Sequence, residues 1–182
     1  MVNGNLKTIL MTEDDINRAL IRISHQIIEK NRGTDNLCLV GIKTRGVPLA
    51  KRIAKHIKFI ENVEVPVGAL DITLYRDDLS RISYDPVVNS SNVPFSVNDK
   101  NVVLVDDVIF TARTARAAID ALISLGRPAR IYLAVLIDRG HAEFPIKPNF
   151  VGKNIPTSYN EIVSVRLSET DGDNFVALLS KL

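Results

Sequence analysis

Short runs of consecutive apolar residues alternate along the chain with stretches in which apolar residues recur every three or four positions. The continuous runs are typical of strands buried on both faces of a sheet, and the spaced positions are typical of amphipathic helices. The runs that predict buried strands are 37–42, 102–105 and 131–137. Residues 65–75 predict a longer strand, and shorter runs at 162–167 and 175–179 predict added strands.

Helices are predicted between these strands. The first covers 12–31, where Thr12 and Asp15 have the spacing of a capping box. The second is expected to bury Leu49, Ala50, Ile53, Ala54 and Ile57. The third is expected to bury Ala115, Ala118, Ile119, Leu122 and Leu125. Gly126 is expected to end the third helix.

This order of elements predicts an α/β fold with a mostly parallel central sheet flanked by helices. Residues 1–182 are expected to form a single domain, because no linker or internal repeat interrupts them. Between about 76 and 100, charged residues, Ser and Asn show little periodicity. Segments of this length without periodicity are usually functional or disordered, so we predict a flexible loop there.

Composition and charge exclude several classes of protein. The net charge of +2, from 23 basic and 21 acidic residues, is weaker than that of dedicated nucleic-acid binders. No apolar run reaches the roughly 20 residues that a bilayer requires, and the first residues lack the apolar stretch of a signal peptide. The single cysteine, Cys38, cannot form an internal disulfide. We therefore expect a cytoplasmic protein with no membrane partner.

Three polar clusters, at 43–46, 106–114 and 138–141, follow predicted strands. Ligands of α/β sheets bind outside the carboxyl ends of the strands, so we expect the clusters to share one edge of the sheet if the strands are parallel neighbours. Arg45 and nearby backbone N–H groups could hold a phosphate group there. Arg76, in the predicted loop, could close over the site, although a solvated loop with ion pairs explains it equally well.

The cluster at 106–114 has the most specific chemistry. The adjacent carboxylates of Asp106 and Asp107 suit ribose hydroxyls or a hydrated Mg²⁺ ion. Thr111 and Thr114 lie where a helix begins, and the free N–H groups of a helix start bind phosphate. The order of these groups predicts a sugar-phosphate site. The residues alone leave open the alternative that both Asp side chains only cap the helix.

Residues 102–114 resemble the phosphoribosyl-pyrophosphate signature of type I phosphoribosyltransferases. Segments 41–46, 71–80 and 126–158 are similar to one group of that family, the bacterial pyrimidine-operon attenuation regulators with uracil phosphoribosyltransferase activity. This resemblance extends over nearly the whole chain. It implies the type I phosphoribosyltransferase fold, with a flexible loop, a small hood and a homodimeric or homotetrameric assembly.

The resemblance implies that uracil and phosphoribosyl pyrophosphate react to give UMP and diphosphate, with Mg²⁺ as the cofactor. It implies that Asp106, Asp107 and Arg76 are catalytic and that the two carboxylates bind the metal ion directly or indirectly. The implied substrate contacts are Thr44, Arg45, Gly46, Val108, Thr111, Ala112, Arg113, Thr114, Ile137, Asp138 and Arg139. In this assignment residues 111–114 bind the 5′-phosphate, residues 44–45 lie in a pyrophosphate loop that can include a non-proline cis peptide bond, and residues 137–139 lie against the base.

The resemblance also implies UMP-dependent binding to a stem-loop in the leader mRNA of a pyrimidine operon, which promotes transcription termination. The implied RNA contacts are Arg18, Arg22, His25, Arg139, His141, Lys147 and Lys153. On the predicted first helix, Arg18, Arg22 and His25 lie on the side opposite the apolar residues. Between 126 and 153, five basic and two acidic residues give a local charge of +3.

Three positions depart from the family pattern. Ile21 stands where Thr is common and Ala142 where Arg is usual, so both remove polar atoms from the expected RNA surface. An alternative is therefore a uracil phosphoribosyltransferase with lost or weakened RNA binding. Ala112 replaces a Gly of the phosphate loop, which is tolerated if its φ is negative and costs affinity otherwise.

Two other functions are compatible with part of the sequence. The acidic pair at 106–107 also resembles that of response-regulator receiver domains, but receivers carry this pair near their start and need more chain after it. A phosphoribosyltransferase for purines or orotate agrees with the signature alone. The other matching segments disfavour that alternative.

Overall fold

One parallel and one antiparallel sheet form the framework in this computed structural model, which describes residues 4–72 and 91–181. In chain order the elements are β1 (Gly4–Met11), α1 (Glu13–Asn31), β2 (Leu37–Ile42), α2 (Gly46–Glu61), β3 (Val67–Leu70), β4 (Asn101–Ile109), α3 (Arg113–Ser124), β5 (Arg130–Asp138), β6 (Phe150–Asn154), β7 (Glu161–Arg166), α4 (Ser168–Asp171) and β8 (Phe175–Lys181). The parallel sheet has the order β3-β2-β4-β5-β6, and the antiparallel sheet has the order β1-β8-β7. The predicted α/β class is confirmed, and the antiparallel sheet with α4 forms the hood.

Helix α1 begins as its sequence predicts. The Thr12 Oγ1 atom accepts a hydrogen bond from the Asp15 N–H at 3.3 Å, and the Asp15 carboxylate accepts one from the Thr12 N–H at 3.0 Å. This capping box satisfies donors that the first helical turn leaves unpaired. The apolar residues at helical spacing are no more than 1% exposed, and they are Ile16, Leu20, Ile23 and Ile27. The predicted helix and its buried face are therefore confirmed.

The parallel sheet is buried on both faces because successive strand residues point to opposite sides. In β4, Val103 and Val105 pack into the cluster formed with α1 and α2. Val102 and Leu104 pack into the cluster formed with α3. This alternation explains why the strands read as continuous apolar runs.

Several boundaries differ from the predictions. Strand β3 covers only Val67–Leu70, because Pro66 cannot donate to a strand ladder and residues 71–72 have left the strand. Leu125 is 48% exposed instead of buried, because α3 ends at Ser124; Ala117 and Ala121 fill the buried face. Strands β1 and β6 were not predicted, since neither has a long apolar run.

Part of the expected flexible loop is packed against the domain. Asn92 and Ala69 exchange two backbone hydrogen bonds of 2.8 Å, and Val97 is 1% exposed within the α3-side core. Residues 73–90, which include Arg76, lie outside the described part of the chain.

Among the described helices, none combines the length and apolar character that a bilayer crossing requires.

The start of α3 holds an alanine in a left-handed conformation. Ala112, the N-cap residue, has φ +68° and is 3% exposed. The left-handed region costs a residue with a Cβ atom about 1–2 kcal/mol, whereas glycine adopts it freely. Of the two cases that the sequence left open for Ala112, the structure shows the unfavourable one.

We expect Ala112→Gly to be about 1–2 kcal/mol less destabilising than Ala117→Gly, because only the first substitution relieves a left-handed conformation. Ala117 is a matched control, since it is 2% exposed and lies inside α3, so that both substitutions remove a buried methyl group and add backbone freedom. The free energy of unfolding in urea measures the difference. Equal losses in the two variants would contradict the strain at residue 112.

Candidate active site

The three polar clusters lie on one edge of the parallel sheet. Strand β4 pairs with β2 on one side and with β5 on the other, all in parallel. Their carboxyl ends therefore meet, and the segments 43–46, 106–114 and 138–141 are neighbours as expected. The structure places Asp106 and Asp107 inside β4 instead of after it, because the strand continues to Ile109.

The two carboxylates of the acidic pair interact with each other, and each also has a different neighbour. Asp106 lines a cavity of about 230 Å³ together with residues 111–115. Asp107 interacts electrostatically with Arg45. Each carboxylate also accepts a backbone hydrogen bond of 2.9 Å, Asp106 from the Asp107 N–H and Asp107 from the Val108 N–H.

Both carboxylates are held where ionisation is unfavourable. Burial raises the pKa of Asp106 well above its ordinary value, and the adjacent charge of Asp107 raises it further. Burial also raises the pKa of Asp107, although the Asp106 side chain and the charge of Arg45 oppose this shift. The ionised form of such carboxylates is stabilised by a cation or by hydrogen-bond donors such as sugar hydroxyls.

The cavity beside Asp106 has a helix start on its wall. Among the residues that the structure describes, no side chain caps α3, and the Arg113 N–H has a long contact of 3.5 Å with the Thr111 hydroxyl. N–H groups at a helix start carry partial positive charge and favour anions. The Arg113 side chain instead pairs with Glu143, at 2.7 Å from Nη2 to Oε2. Arg113 is therefore placed to contribute its backbone N–H, together with Thr111, Ala112 and Thr114.

The loop between β2 and α2 approaches β4 closely. A Cβ atom at Gly46 would lie 2.2 Å from the Val105 carbonyl oxygen, so only glycine allows this approach. The peptide bond between Lys43 and Thr44 is cis, which confirms the expected non-proline cis bond. Thr44 is exposed on this loop, directly before Arg45.

Arg45 has a partner that the sequence did not reveal. Its Nε and Nη2 atoms donate to the two carboxylate oxygens of Asp171, at 3.0 Å and 2.7 Å. Asp171 ends the hood helix α4, and 126 positions separate it from Arg45. No periodicity or motif links residues so far apart, so only the folded chain could show this contact.

The third cluster borders a second cavity of about 330 Å³, lined by residues 138–141 and 154–157. Ile137 is fully buried between its strand neighbours Val108 and Lys153, and it does not line this cavity. The Asp138 carboxylate accepts a hydrogen bond from the Gly140 N–H at 2.9 Å. Its part-exposed side chain therefore stabilises the turn at the edge of this cavity.

Arg139 is placed differently from what an RNA contact requires. It is 7% exposed, and its Nε atom donates to the Thr157 hydroxyl at 2.9 Å. Nη2 donates to the carbonyls of Ser158 and Glu161, and the guanidinium lies 3.9 Å from the centre of the Phe110 ring. These contacts correct the expectation of an RNA contact, because the charged group holds residues 157–161 against the end of β4.

The expected RNA contacts divide into separate locations. Arg18, Arg22 and Lys153 line one groove of about 410 Å³ between α1 and β6. Arg22 donates to the carbonyls of Val151 and Gly152, and Lys153 donates to the Leu10 carbonyl at 2.9 Å. The other three residues lie outside this groove: His25 is exposed on α1, Lys147 is exposed between β5 and β6, and the His141 Nε2 atom contacts the Thr157 carbonyl at 2.6 Å in the second cavity.

A bound Mg²⁺ ion would obtain few ligands from the protein. Within residues 4–72 and 91–181, no group of three or more His, Cys, Asp or Glu side chains could hold a metal ion. The adjacent carboxylates of Asp106 and Asp107 supply the hard oxygen ligands that Mg²⁺ prefers. Since Mg²⁺ commonly keeps waters and binds through one or two carboxylates and substrate phosphates, this pair fits such an ion.

The chain matches the phosphoribosyl transferase domain family over residues 9–170. It is 60% identical to the bifunctional protein PyrR of Thermus aquaticus, covering 96% of this chain and 97% of that protein. It is 62% identical to the bifunctional protein PyrR of Pelotomaculum thermopropionicum, covering 95% and 96%.

Solved structures of more distant proteins share the fold. A hypoxanthine phosphoribosyltransferase from Staphylococcus aureus has a TM-score of 0.73 and 20% identity, covering 97% of this chain and 94% of that chain. The enzyme from Trypanosoma cruzi has a TM-score of 0.74 and 19% identity, covering 97% and 98%. At this identity the likeness confirms the type I phosphoribosyltransferase fold alone. Together with the near full-length relatives, it shows that the chain belongs to the phosphoribosyltransferase family and, within it, to the bifunctional PyrR proteins.

Proposed function

We propose that Asp106, Asp107 and the start of α3 form the site at which this PyrR protein converts uracil and phosphoribosyl pyrophosphate to UMP and diphosphate. One observation carries the proposal: a half-buried acidic pair lies beside an uncapped helix start, and Asp106 shares a cavity with that helix start. Carboxylates accept hydrogen bonds from ribose hydroxyls, and helix N–H groups hold a 5′-phosphate. The two ends of one ribose phosphate therefore fit the two halves of this site.

The reaction needs positioning and charge stabilisation instead of a covalent intermediate. The bond between ribose C1 and pyrophosphate breaks while a bond to a uracil nitrogen forms, and positive charge develops on the sugar ring. Asp106 and Asp107 hold the ring in position, and their negative charge stabilises the positive charge that develops on it. Cys38 is no nucleophile here, because it is 1% exposed within β2 and burial raises the pKa of its thiol to about 11.

The leaving group would be held by the loop between β2 and α2. Arg45 interacts with Asp107, and Gly46 lies against the backbone of Val105 and Asp106. Thr44 lies on the same loop, and Arg76 is proposed to approach from the segment beyond residue 72. Bound Mg²⁺ supplies charge neutralisation for the pyrophosphate. Asp106 and Asp107 are the residues that would hold it, through oxygen atoms or intervening water.

The regulatory activity uses a second surface. Membership of the bifunctional PyrR group makes this protein a pyrimidine-operon attenuator as well as a uracil phosphoribosyltransferase, which disfavours the alternative of an enzyme without RNA binding. We place the leader RNA on the groove between α1 and β6, because Arg18, Arg22 and Lys153 converge there. Basic side chains along a groove recognise RNA through its phosphates and shape.

We further propose that residues 1–182 act as one cytoplasmic domain in a homodimer or homotetramer. A buried, unpaired Cys38 supports a reducing compartment. Large exposed apolar side chains, such as Phe59 at 91% and Ile123 at 55%, support contact between copies.

Asp107→Asn is expected to lower uracil turnover by about 100-fold or more, because it removes one charge that faces the reacting ring. Turnover is measured as UMP formed from uracil and phosphoribosyl pyrophosphate. The matched control is Asp120→Asn, which removes an exposed carboxylate paired with Arg116 on α3 and leaves the site intact. Unchanged turnover in Asp107→Asn would exclude that carboxylate from the mechanism.

Arg22→Gln is expected to weaken UMP-dependent RNA binding while leaving turnover within about twofold, because its charge faces the α1–β6 groove. Gel-shift titration of pyrimidine leader RNA, with and without UMP, measures the affinity. Lys55→Gln, on the exposed side of α2, is the charge-matched control. Arg18→Gln tests the same groove without breaking the contacts of Arg22 to β6, and full RNA affinity in both groove variants would contradict the placement.

Asp106→Asn is expected to stabilise the ligand-free, Mg²⁺-free protein at pH 8. Because folding raises the pKa of Asp106 above its ordinary value of 3.8, stability is greatest below that value and is lost as pH rises through the folded-state pKa. Asn resembles the protonated side chain, so a gain of one kcal/mol would raise Tm by about 2–4 °C. The gain should disappear at acidic pH, and a lower Tm at pH 8 would contradict the shift.

A further inference from the structure

The hood is attached to α2 by two arginines, and we call this set of contacts the hood clamp. Arg45 and Arg52 lie seven residues apart, which places them on the same side of the start of α2. Arg45 pairs with Asp171, and Arg52 donates from Nε to Glu169 Oε1 at 2.9 Å. The Arg52 Nη2 atom also donates to the side chains of Ser168 and Asn174, at 3.2 Å and 2.9 Å.

The inner pair of the clamp has a defined geometry. Asp171 accepts from Nε and Nη2 of Arg45, and it also accepts from the Leu167 N–H at 3.0 Å and the Thr170 hydroxyl at 2.8 Å. The Asp171 side chain is 10% exposed and that of Arg45 is 36% exposed. The carboxylate is therefore fixed by its own helix, and Arg45 is fixed by the carboxylate.

Two nitrogens of the Arg45 guanidinium, Nε and Nη2, are held by Asp171. In the part of the chain that the structure describes, its Nη1 atom makes no hydrogen bond, while the nearby charge of Asp107 acts on the guanidinium. A guanidinium held by two of its nitrogens keeps a fixed direction for the third. Arg45 thus lies between the hood and the acidic pair with N–H donors available to an anion.

We propose that Asp171 is a positioning residue that orients Arg45 toward the pyrophosphate group, so that the hood determines how tightly phosphoribosyl pyrophosphate binds. This inference rests on the proposed function, which places pyrophosphate at the loop between β2 and α2. It also assigns α4 a role in the active site that neither its length nor its sequence indicates. The alternative to this positioning role is that Asp171 competes with pyrophosphate for Arg45 and so weakens binding.

The test compares Asp171→Asn and Asp171→Glu with Glu169→Gln. Asp171→Asn is expected to raise the KM for phosphoribosyl pyrophosphate about five- to tenfold, because it loses the charge-assisted pair. The KM for uracil and kcat should stay within about twofold, and Asp171→Glu should recover part of the affinity. Glu169→Gln weakens the outer pair on the same helix without touching Arg45, so it should leave both KM values unchanged.

Binding of pyrophosphate, measured by calorimetry in the presence of Mg²⁺, provides a readout that does not require turnover. Asp171→Asn should weaken it by the same factor as the KM. A lower or unchanged KM and Kd in Asp171→Asn overturns the proposal, as does an equal change in Glu169→Gln, which would mean that the clamp only docks the hood. If the wild-type protein does not use uracil, the proposed function fails, but pyrophosphate binding still tests Asp171.

Discussion

The burial of two adjacent carboxylates in the last half of β4 is the constraint around which the site is arranged. The flanking valines and leucine anchor this strand in both cores and hold the part-exposed Asp106 and Asp107 at the edge of the sheet. Each accepts a backbone hydrogen bond, and burial raises the pKa of both. A ligand that brings hydroxyl donors or a cation to this pair recovers interactions that folding alone leaves unmade.

The two carboxylates of this pair interact with different parts of the site. Asp106 shares its cavity with the start of α3, where phosphate is favoured. Asp107 acts on Arg45, which directly precedes α2 and is held by the hood. One strand can therefore place a sugar between two anion sites, because the helix on each face begins at the same edge of the sheet.

The parts of this arrangement that depend on local sequence could be predicted. The parallel sheet was predictable from the continuous apolar runs in β2, β4 and β5, and the first helix from its capping box. The acidic pair was predictable from the signature at 102–114. Contacts between distant segments could not be predicted. Arg139 is occupied by the backbone of residues 157–161, and Asp171 meets Arg45 only after the hood has folded, so neither role has a signal in its own segment.

The central claim is that the acidic pair and the start of α3 hold opposite ends of one ribose 5-phosphate. A crystal structure of the protein with UMP tests this most directly. The account predicts the ribose hydroxyls within hydrogen-bond distance of Asp106 and Asp107, directly or through Mg²⁺, and the phosphate on the N–H groups of residues 111–115. UMP bound at another site, or with its phosphate at Arg45 and its sugar away from the carboxylates, would contradict the claim.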